Sequence, residues 1–178
     1  MADTVRTSAE VLALLANNTT QAISPQDLRD TVVSLFGNHA GLYVHSGTTA
    51  QTGVSTSTLL TCFSVDGADG VESGCLTLDR ANDKITASVD GVYAVFFQCG
   101  FSGSVATEYH FHAQKNGSTH MNELGTHRKI GTGGDVGSCS MLALVTLSAN
   151  DFLQIYVEAD SSANVTVEDA QFYMMKVA

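Results

Sequence analysis

The residues best suited to chemistry lie in one short stretch, Glu108 to His112. Alternate side chains of a β-strand project from the same face, so Glu108, His110 and His112 share one face. Tyr109 and Phe111 point the other way. Two imidazoles at this spacing can bind one metal ion, which makes His110 and His112 the candidate metal ligands.

Metal-dependent jelly rolls of the cupin type follow such a His-x-His pair with a glutamate three or four residues later. Those positions hold Lys115 and Asn116 here, and Glu123 comes too late. We therefore predict no metal and no cofactor. Three copies of His110 or of His112 could still meet on the axis of a trimer; otherwise both are polar surface or interface residues.

Other motifs indicate no catalysis. The run Asp66 to Glu72 lacks the alternating acids and flanking helix of an EF-hand, which favours a turn. Ser138 to Ser140 lacks a Gly-x-Ser-x-Gly elbow, so we predict no catalytic residue and no enzyme. Four cysteines without Cys-x-x-Cys spacing are expected to be small buried hydrophobes, with two disulfides as the alternative: Cys62, Cys75, Cys99 and Cys139.

The net charge and the hydropathy of the chain indicate which classes of partner to expect. The 178 residues include 18 acidic and 8 basic side chains, and a net charge of −10 would repel a phosphate backbone. The apolar run Val11 to Leu15 is too short for a secretion signal or a membrane span. We expect neither nucleic acid nor membrane as a partner.

The strand pattern of the sequence is clearest at residues 82–103. Residues 84–89 alternate between polar and apolar, which predicts a strand with one buried face. Asp90 and Gly91 then predict a two-residue hairpin turn. The following segment, Val92 to Cys99, is apolar on both faces, so both its faces must be covered.

The order of these patterns resembles the C1q/TNF-like jelly roll from Gly41 to Ala178. The matching segments are Gly91-Val92-Tyr93 with Phe96, Ala113 to Gly117 with its Lys-Asn-Gly ending, Met141 to Val145, Ser148 to Asp151, and Gln171 to Met174. The resemblance implies an antiparallel β-sandwich that works as a homotrimer. Its subunit interface is expected to use Tyr93, Val95, Phe97, Phe101, His110 and His112.

The first forty residues form a separate unit in this prediction, with the jelly roll spanning 41–178. Capping patterns at Thr7 to Glu10 and Ser24 to Asp27 predict two short helices, and Gly37 ends the second. Helices this short must pack on something to be stable. The apolar residues expected to bind that surface are Leu12, Leu15, Leu28, Val32, Leu35 and Phe36.

The segment from Asn17 to Phe36 resembles N-terminal attachment regions of tailed-phage virion proteins. Together the two resemblances imply a non-enzymatic virion protein, assembled in the host cytoplasm, that decorates a head shell and binds the major capsid protein or another virion protein. The alternative is an adsorption fibre that binds a host receptor through Gly100 to Thr107 and Gly125 to Gly137. A third, less favoured hypothesis is a metal-dependent jelly-roll enzyme.

Overall fold

A computed structural model describes residues 6–7, 10–11, 13, 24–35, 37–67, 69–132 and 135–178. Its helices with described bounds are α1 (Pro25–Leu35) and α2 (Cys62–Val65), with a 3-10 turn at Arg80–Asn82. Residues 10, 11 and 13 are also helical. Its strands are β1 (His39–His45), β2 (Ala50–Gln51), β3 (Thr58–Leu59), β4 (Asp69–Ser73), β5 (Leu76–Asp79), β6 (Lys84–Ala87), β7 (Gly91–Gly103), β8 (Glu108–Lys115), β9 (Thr119–Lys129), β10 (Val136–Leu147), β11 (Phe152–Ala159) and β12 (Val165–Lys176). None of the described helices is both long and apolar enough to cross a membrane.

The strands form two antiparallel sheets that pack face to face. Sheet A has the order β10-β7-β12-β1-β4, and β2 pairs with β12. Sheet B has the order β5-β6-β11-β8-β9, and β3 pairs with β11. The predicted antiparallel β-sandwich is confirmed. Residues 47–58 form a loop that contains the short strand β2 and ends at the start of β3.

Aromatic side chains of β7 and β8 pack against one another in the core between the sheets. The Phe101 ring lies 4.9 Å from Phe111 and 5.3 Å from Tyr109, centroid to centroid, and Phe97 lies 6.0 Å from Phe111. These rings have no solvent exposure. Packing of this kind leaves no part of them for a second chain.

The predicted trimer-interface residues of β7 are therefore wrong. Tyr93, Val95, Phe97 and Phe101 are each 0% exposed within the single chain. Because β7 is apolar on both faces, hydropathy does not distinguish its inner face from its outer one. The side chains of β7 that point outward belong to the alternate residues of the strand, which include Ala94 and Phe96.

The predicted hairpin at Asp90 and Gly91 is also wrong. Strand β6 belongs to sheet B and β7 to sheet A, so the chain crosses between sheets here. Neither residue has a positive φ angle, which a type I′ turn requires at both. Glycine is needed at position 91 because a Cβ there would collide with the carbonyl oxygen of Ala178.

The C-terminus is fastened at the same place. The Val92 amide donates to the Ala178 carbonyl oxygen at 2.8 Å, and the Val177 amide donates to the Val92 carbonyl oxygen at 2.8 Å. The start of β1 is adjacent, because His39 pairs with Met175 of β12. The arm and the C-terminus therefore meet at one end of sheet A.

The capping box predicted at Thr7 is present in the N-terminal arm, and the N-cap predicted at Ser24 forms a second reciprocal pair with Asp27. The amide of Thr7 donates to the Glu10 carboxylate at 2.7 Å, and the amide of Ser24 donates to the Asp27 carboxylate at 2.9 Å. The reciprocal bonds to the two hydroxyl oxygens are 3.2 and 3.1 Å long. These bonds satisfy amide groups that a helix start leaves unpaired.

The arm joins the sandwich through Asn38. Its side-chain amide donates to the carbonyl oxygens of Val33 and Ser34, and its carbonyl oxygen accepts from the Cys75 amide. Strand β1 begins at His39, two residues before the predicted domain boundary. Leu28 and Val32 are 60% and 48% exposed, as an attachment surface requires. Leu12, Leu15, Phe36 and the side chain of Leu35 lie outside the described residues.

Candidate functional site

The outward face of sheet A carries a continuous set of apolar side chains. The strand pairing aligns Leu142 of β10 with Phe96 of β7, and Phe96 with Tyr173 of β12. Leu144 is aligned in the same way with Ala94, and Ala94 with Met175. We call these residues, with Val71 of β4, the apolar band: Val71, Ala94, Phe96, Leu142, Leu144, Tyr173 and Met175.

The apolar band is exposed in the single chain. Leu142 is 69% exposed, Leu144 64% and Met175 52%. Monomeric proteins rarely leave a contiguous apolar surface of this kind open to water. The band is therefore a candidate contact surface.

The band ends where the same face becomes polar. Ser140 pairs with Gln98, and the Gln98 side-chain amide donates to Gln171 Oε1 at 3.0 Å. Further along the strands, His45 Nδ1 lies 2.5 Å from Asp169 Oδ1. One outer face thus has an apolar half and a polar half.

Tyr173 owes its position in the band to a glycine. A Cβ at Gly41 would overlap the Tyr173 ring, so the ring lies directly over the β1 backbone. Gly41 pairs with Tyr173 on one side and with Val71 on the other. The missing side chain lets the band continue across β1.

The outward face of sheet B carries a different feature, a cluster of four histidines on the β8–β9 hairpin. His110 pairs directly with His127. The register then shifts between His112 and Gln114, so residues 121–124 of β9 lie opposite Ala113 alone. This bulge brings His120 close to His112.

The imidazoles are in mutual contact. Ring centroids lie 4.8 Å apart for His110 and His112, 4.4 Å for His112 and His120, and 5.8 Å for His110 and His120. The ligand nitrogens of these three residues all lie within 4.8 Å of one another. The sequence prediction named His110 and His112, but it missed His120.

His112 is the unusual member because it is 0% exposed although it faces outward. Its Nε2 lies 2.9 Å from the Ser57 hydroxyl oxygen, and the Gln114 amide donates to that oxygen at 2.7 Å. Its Nδ1 is buried and has no hydrogen-bond partner among the described residues. Burial, and then the neighbouring His120 and His110, lower the pKa of His112 to about 4, so its ring is neutral at pH 7.

The outer histidines are oriented by carboxylates. His110 Nδ1 lies 3.1 Å from Glu158, and His127 Nδ1 lies 3.2 Å from Glu108. The His110 ring fits over Gly125, where a Cβ would come within 2.9 Å of Nε2. His110 and His112 are on the sheet opposite the apolar band, so the predicted interface does not bring them together with β7.

The other candidate motifs are structural. The Asp66 carboxylate accepts hydrogen bonds from the amide and hydroxyl groups of Thr49, which fixes a turn as expected. All four cysteines are free thiols, and three are buried. Cys99 Sγ lies 3.4 Å from Cys139 Sγ, and burial raises the pKa of the Cys99 thiol.

No protein-family model and no curated protein matches the chain. Solved structures do match. Eiger TNF from S. frugiperda is 17% identical with a TM-score of 0.57, covering 78% of this chain and 92% of its own. Murine APRIL at pH 5.0 is 13% identical with a TM-score of 0.53 and coverages of 79% and 100%.

The globular domain of zebrafish complement 1qA is 14% identical with a TM-score of 0.54 and coverages of 79% and 98%. The chain has the C1q/TNF-like jelly-roll fold. At these identities the likeness extends to the fold alone.

Proposed function

We propose that this chain is a non-enzymatic virion protein that forms homotrimers and decorates a capsid shell through its N-terminal arm. The observation that carries the proposal is the apolar band on sheet A. The occupants we assign to it are two further copies of the same chain. The trimer then presents three identical arms to the shell.

A second copy is the best occupant because the band reaches an edge of the sheet. Strand β10 is the last strand of sheet A on one side, and it carries the two most exposed leucines, Leu142 and Leu144. A leucine-bearing edge can pack against the flat apolar face of the next subunit. Repeated around a three-fold axis, this heterologous contact closes into a ring.

The arm supplies the second apolar surface. Leu28 and Val32 are four residues apart on α1, so they lie on one face of the helix. Both are largely exposed in the single chain. The resemblance of this segment to phage attachment regions supports capsid subunits as their partner.

One observation favours the adsorption alternative. Strand β7 continues to Gly103 and β9 to Lys129, so among the described residues only 104–107, 130–132 and 135 of the predicted receptor loops lie outside strands. Both lie at the end of the sandwich opposite the arm, and Val105 is 57% exposed there. A protein anchored by its arm would present these loops outward.

The deciding experiment is co-sedimentation with capsids of the encoding virus that lack the protein. We expect wild-type protein to sediment with them, and a Leu28→Asp, Val32→Asp double variant not to, because burying an unpaired charge in each anchor is costly. The matched control is Val65→Asp, which changes a 51% exposed valine on α2.

Three linked anchors bind at high effective concentration, so the loss should be steep. Sedimentation of the double variant at the wild-type level would contradict attachment through the arm. Binding of wild-type protein to host cells but not to capsids would favour the adsorption role.

A further inference from the structure

The geometry points to a zinc-type transition-metal site within each chain, formed by the imidazoles of His110, His112 and His120. This inference is independent of the capsid role. It also differs from a site shared among subunits on a trimer axis, because all three ligands come from one β8–β9 hairpin. Imidazole nitrogens suit Zn²⁺, Ni²⁺ and Cu²⁺, and we assign Zn²⁺ as the ion.

The spacing of the rings fits one ion. With zinc–nitrogen bonds of about 2.0 Å, tetrahedral imidazole ligands place their ring centroids roughly 5 Å apart. The three observed separations of 4.8, 4.4 and 5.8 Å bracket that value. For one ion to bind, the ligand nitrogens must close from at most 4.8 Å to about 3.3 Å, and the ring planes, now 27° to 38° apart, must turn. The side chain of His120 is exposed, so core packing does not hold it in place.

Among the described residues, hydrogen bonds occupy one ring nitrogen of His112 and one of His110, which leaves the second nitrogen of each ring open. When Nε2 of His112 carries the ring proton, it donates to Ser57 Oγ at 2.9 Å, and the lone pair of the buried Nδ1 is left without a partner among the described residues. In His110, Nδ1 contacts the Glu158 carboxylate, so Nε2 is the nitrogen that would bind the ion. Metal-bound histidines are characteristically held this way, with the second ring nitrogen donating to an oxygen.

His127 is excluded from the ligand set by its orientation. Its ring is stacked on His110 at 4.1 Å, with the two planes only 4° apart. A metal lies in the plane of each imidazole that binds it, so two rings this nearly parallel cannot direct their lone pairs at one ion, whereas the three proposed ligand rings are inclined to one another by 27° to 38°. His127 instead packs against His110, and the fourth position is left for water.

The test is titration of the untagged full-length chain with ZnCl₂, followed by calorimetry and elemental analysis. We expect about one zinc per chain with a Kd below roughly 10 µM, and a melting temperature that rises by roughly 5 °C or more at saturation. Co²⁺ in place of zinc should give the intense visible absorption of a tetrahedral site.

His120→Ala is the critical variant, because this exposed side chain can be removed without opening the core. It should weaken zinc binding at least tenfold, as should His110→Ala. Glu158→Gln changes only the residue that orients His110, and it should weaken binding by about tenfold while one zinc per chain is retained. The matched control is His45→Ala, an exposed histidine on sheet A that should bind zinc like wild type.

Three results would overturn the site. They are no zinc bound at 100 µM metal, a ratio of one zinc to three chains, and equal affinity of His120→Ala and wild type. His112→Ala removes the buried ligand, and loss of folding in that variant would leave the His120→Ala result to decide.

Discussion

The outward faces of the two sheets invert the usual relation between polarity and exposure. On sheet A, Leu142 and Leu144 are apolar and lie 69% and 64% open to solvent. On sheet B, His112 is polar and fully buried beneath other imidazoles. Within one chain, each arrangement is unfavourable by itself, since it exposes leucine or buries a ring nitrogen that has no hydrogen-bond partner in the described part of the chain.

The contrast teaches that each face is built for a different kind of partner. An exposed leucine lowers the free energy of the protein only when another apolar surface covers it. A buried imidazole nitrogen lowers the free energy when it binds a small ion or accepts a hydrogen bond from a donor. The predictions below separate the two faces.

The largest effect is expected on sheet A. Changing Leu142 and Leu144 together to Asp should convert a trimer of three times 18.7 kDa into a folded monomer, measured by light scattering after gel filtration. The monomer should fold because both side chains are exposed in the single chain. Ser138→Asp, on the polar half of the same strand, is the control and should remain trimeric. A wild-type chain that is already monomeric at micromolar concentration would end the trimer proposal.

Adjacent phenylalanines on β7 test which face of the strand is internal. Phe97→Ala should lower the free energy of unfolding by about 3 to 5 kcal/mol, because the ring is fully buried between the sheets. Phe96→Ala should cost the isolated chain roughly 1 kcal/mol and should mainly weaken association. Urea denaturation of Phe97→Ala and Phe96→Ala measures the two free energies of unfolding. Both substitutions are made in the Leu142→Asp, Leu144→Asp background. Equal losses would place both rings in one environment and refute the assignment of faces.

Two glycines give the smallest and most selective effects. Gly41→Ala should displace Tyr173 and weaken association by about tenfold, or about 1.4 kcal/mol, while zinc binding is unchanged. Gly125→Ala should displace His110 and weaken zinc binding about tenfold, while the trimer is unchanged. Sedimentation equilibrium and zinc titration on both variants provide the two readouts. If either substitution changes both properties, the two faces are coupled.

Local patterns predicted much of this structure. Alternation placed Glu108, His110 and His112 on one face of β8, and the capping box at Thr7 and the N-cap at Ser24 formed as expected. Such features depend on neighbours within a few residues. They follow from backbone geometry that the sequence displays directly.

The errors arose where tertiary context decides. Asp90 and Gly91 have the composition of a hairpin turn, but the chain uses them to change sheets. His120 was missed because its position depends on the β9 bulge that turns Met121 and Leu124 into the core. The Lys-Asn-Gly turn at 115–117 was a usable signal, since it folds β9 back along β8 and returns His120 towards His112.

The first strand of the sandwich and its last residue lie close together, near the start of β7. Val92 bonds to Ala178, and His39 of β1 pairs with Met175 of β12. A cargo fused to the C-terminus would therefore emerge on the side of the arm, between the protein and the shell it is proposed to hold. An insertion at the exposed turn around Val105 would emerge from the far end. For displaying a peptide on particles, that turn is the site to engineer, and the C-terminus is the site to leave unextended.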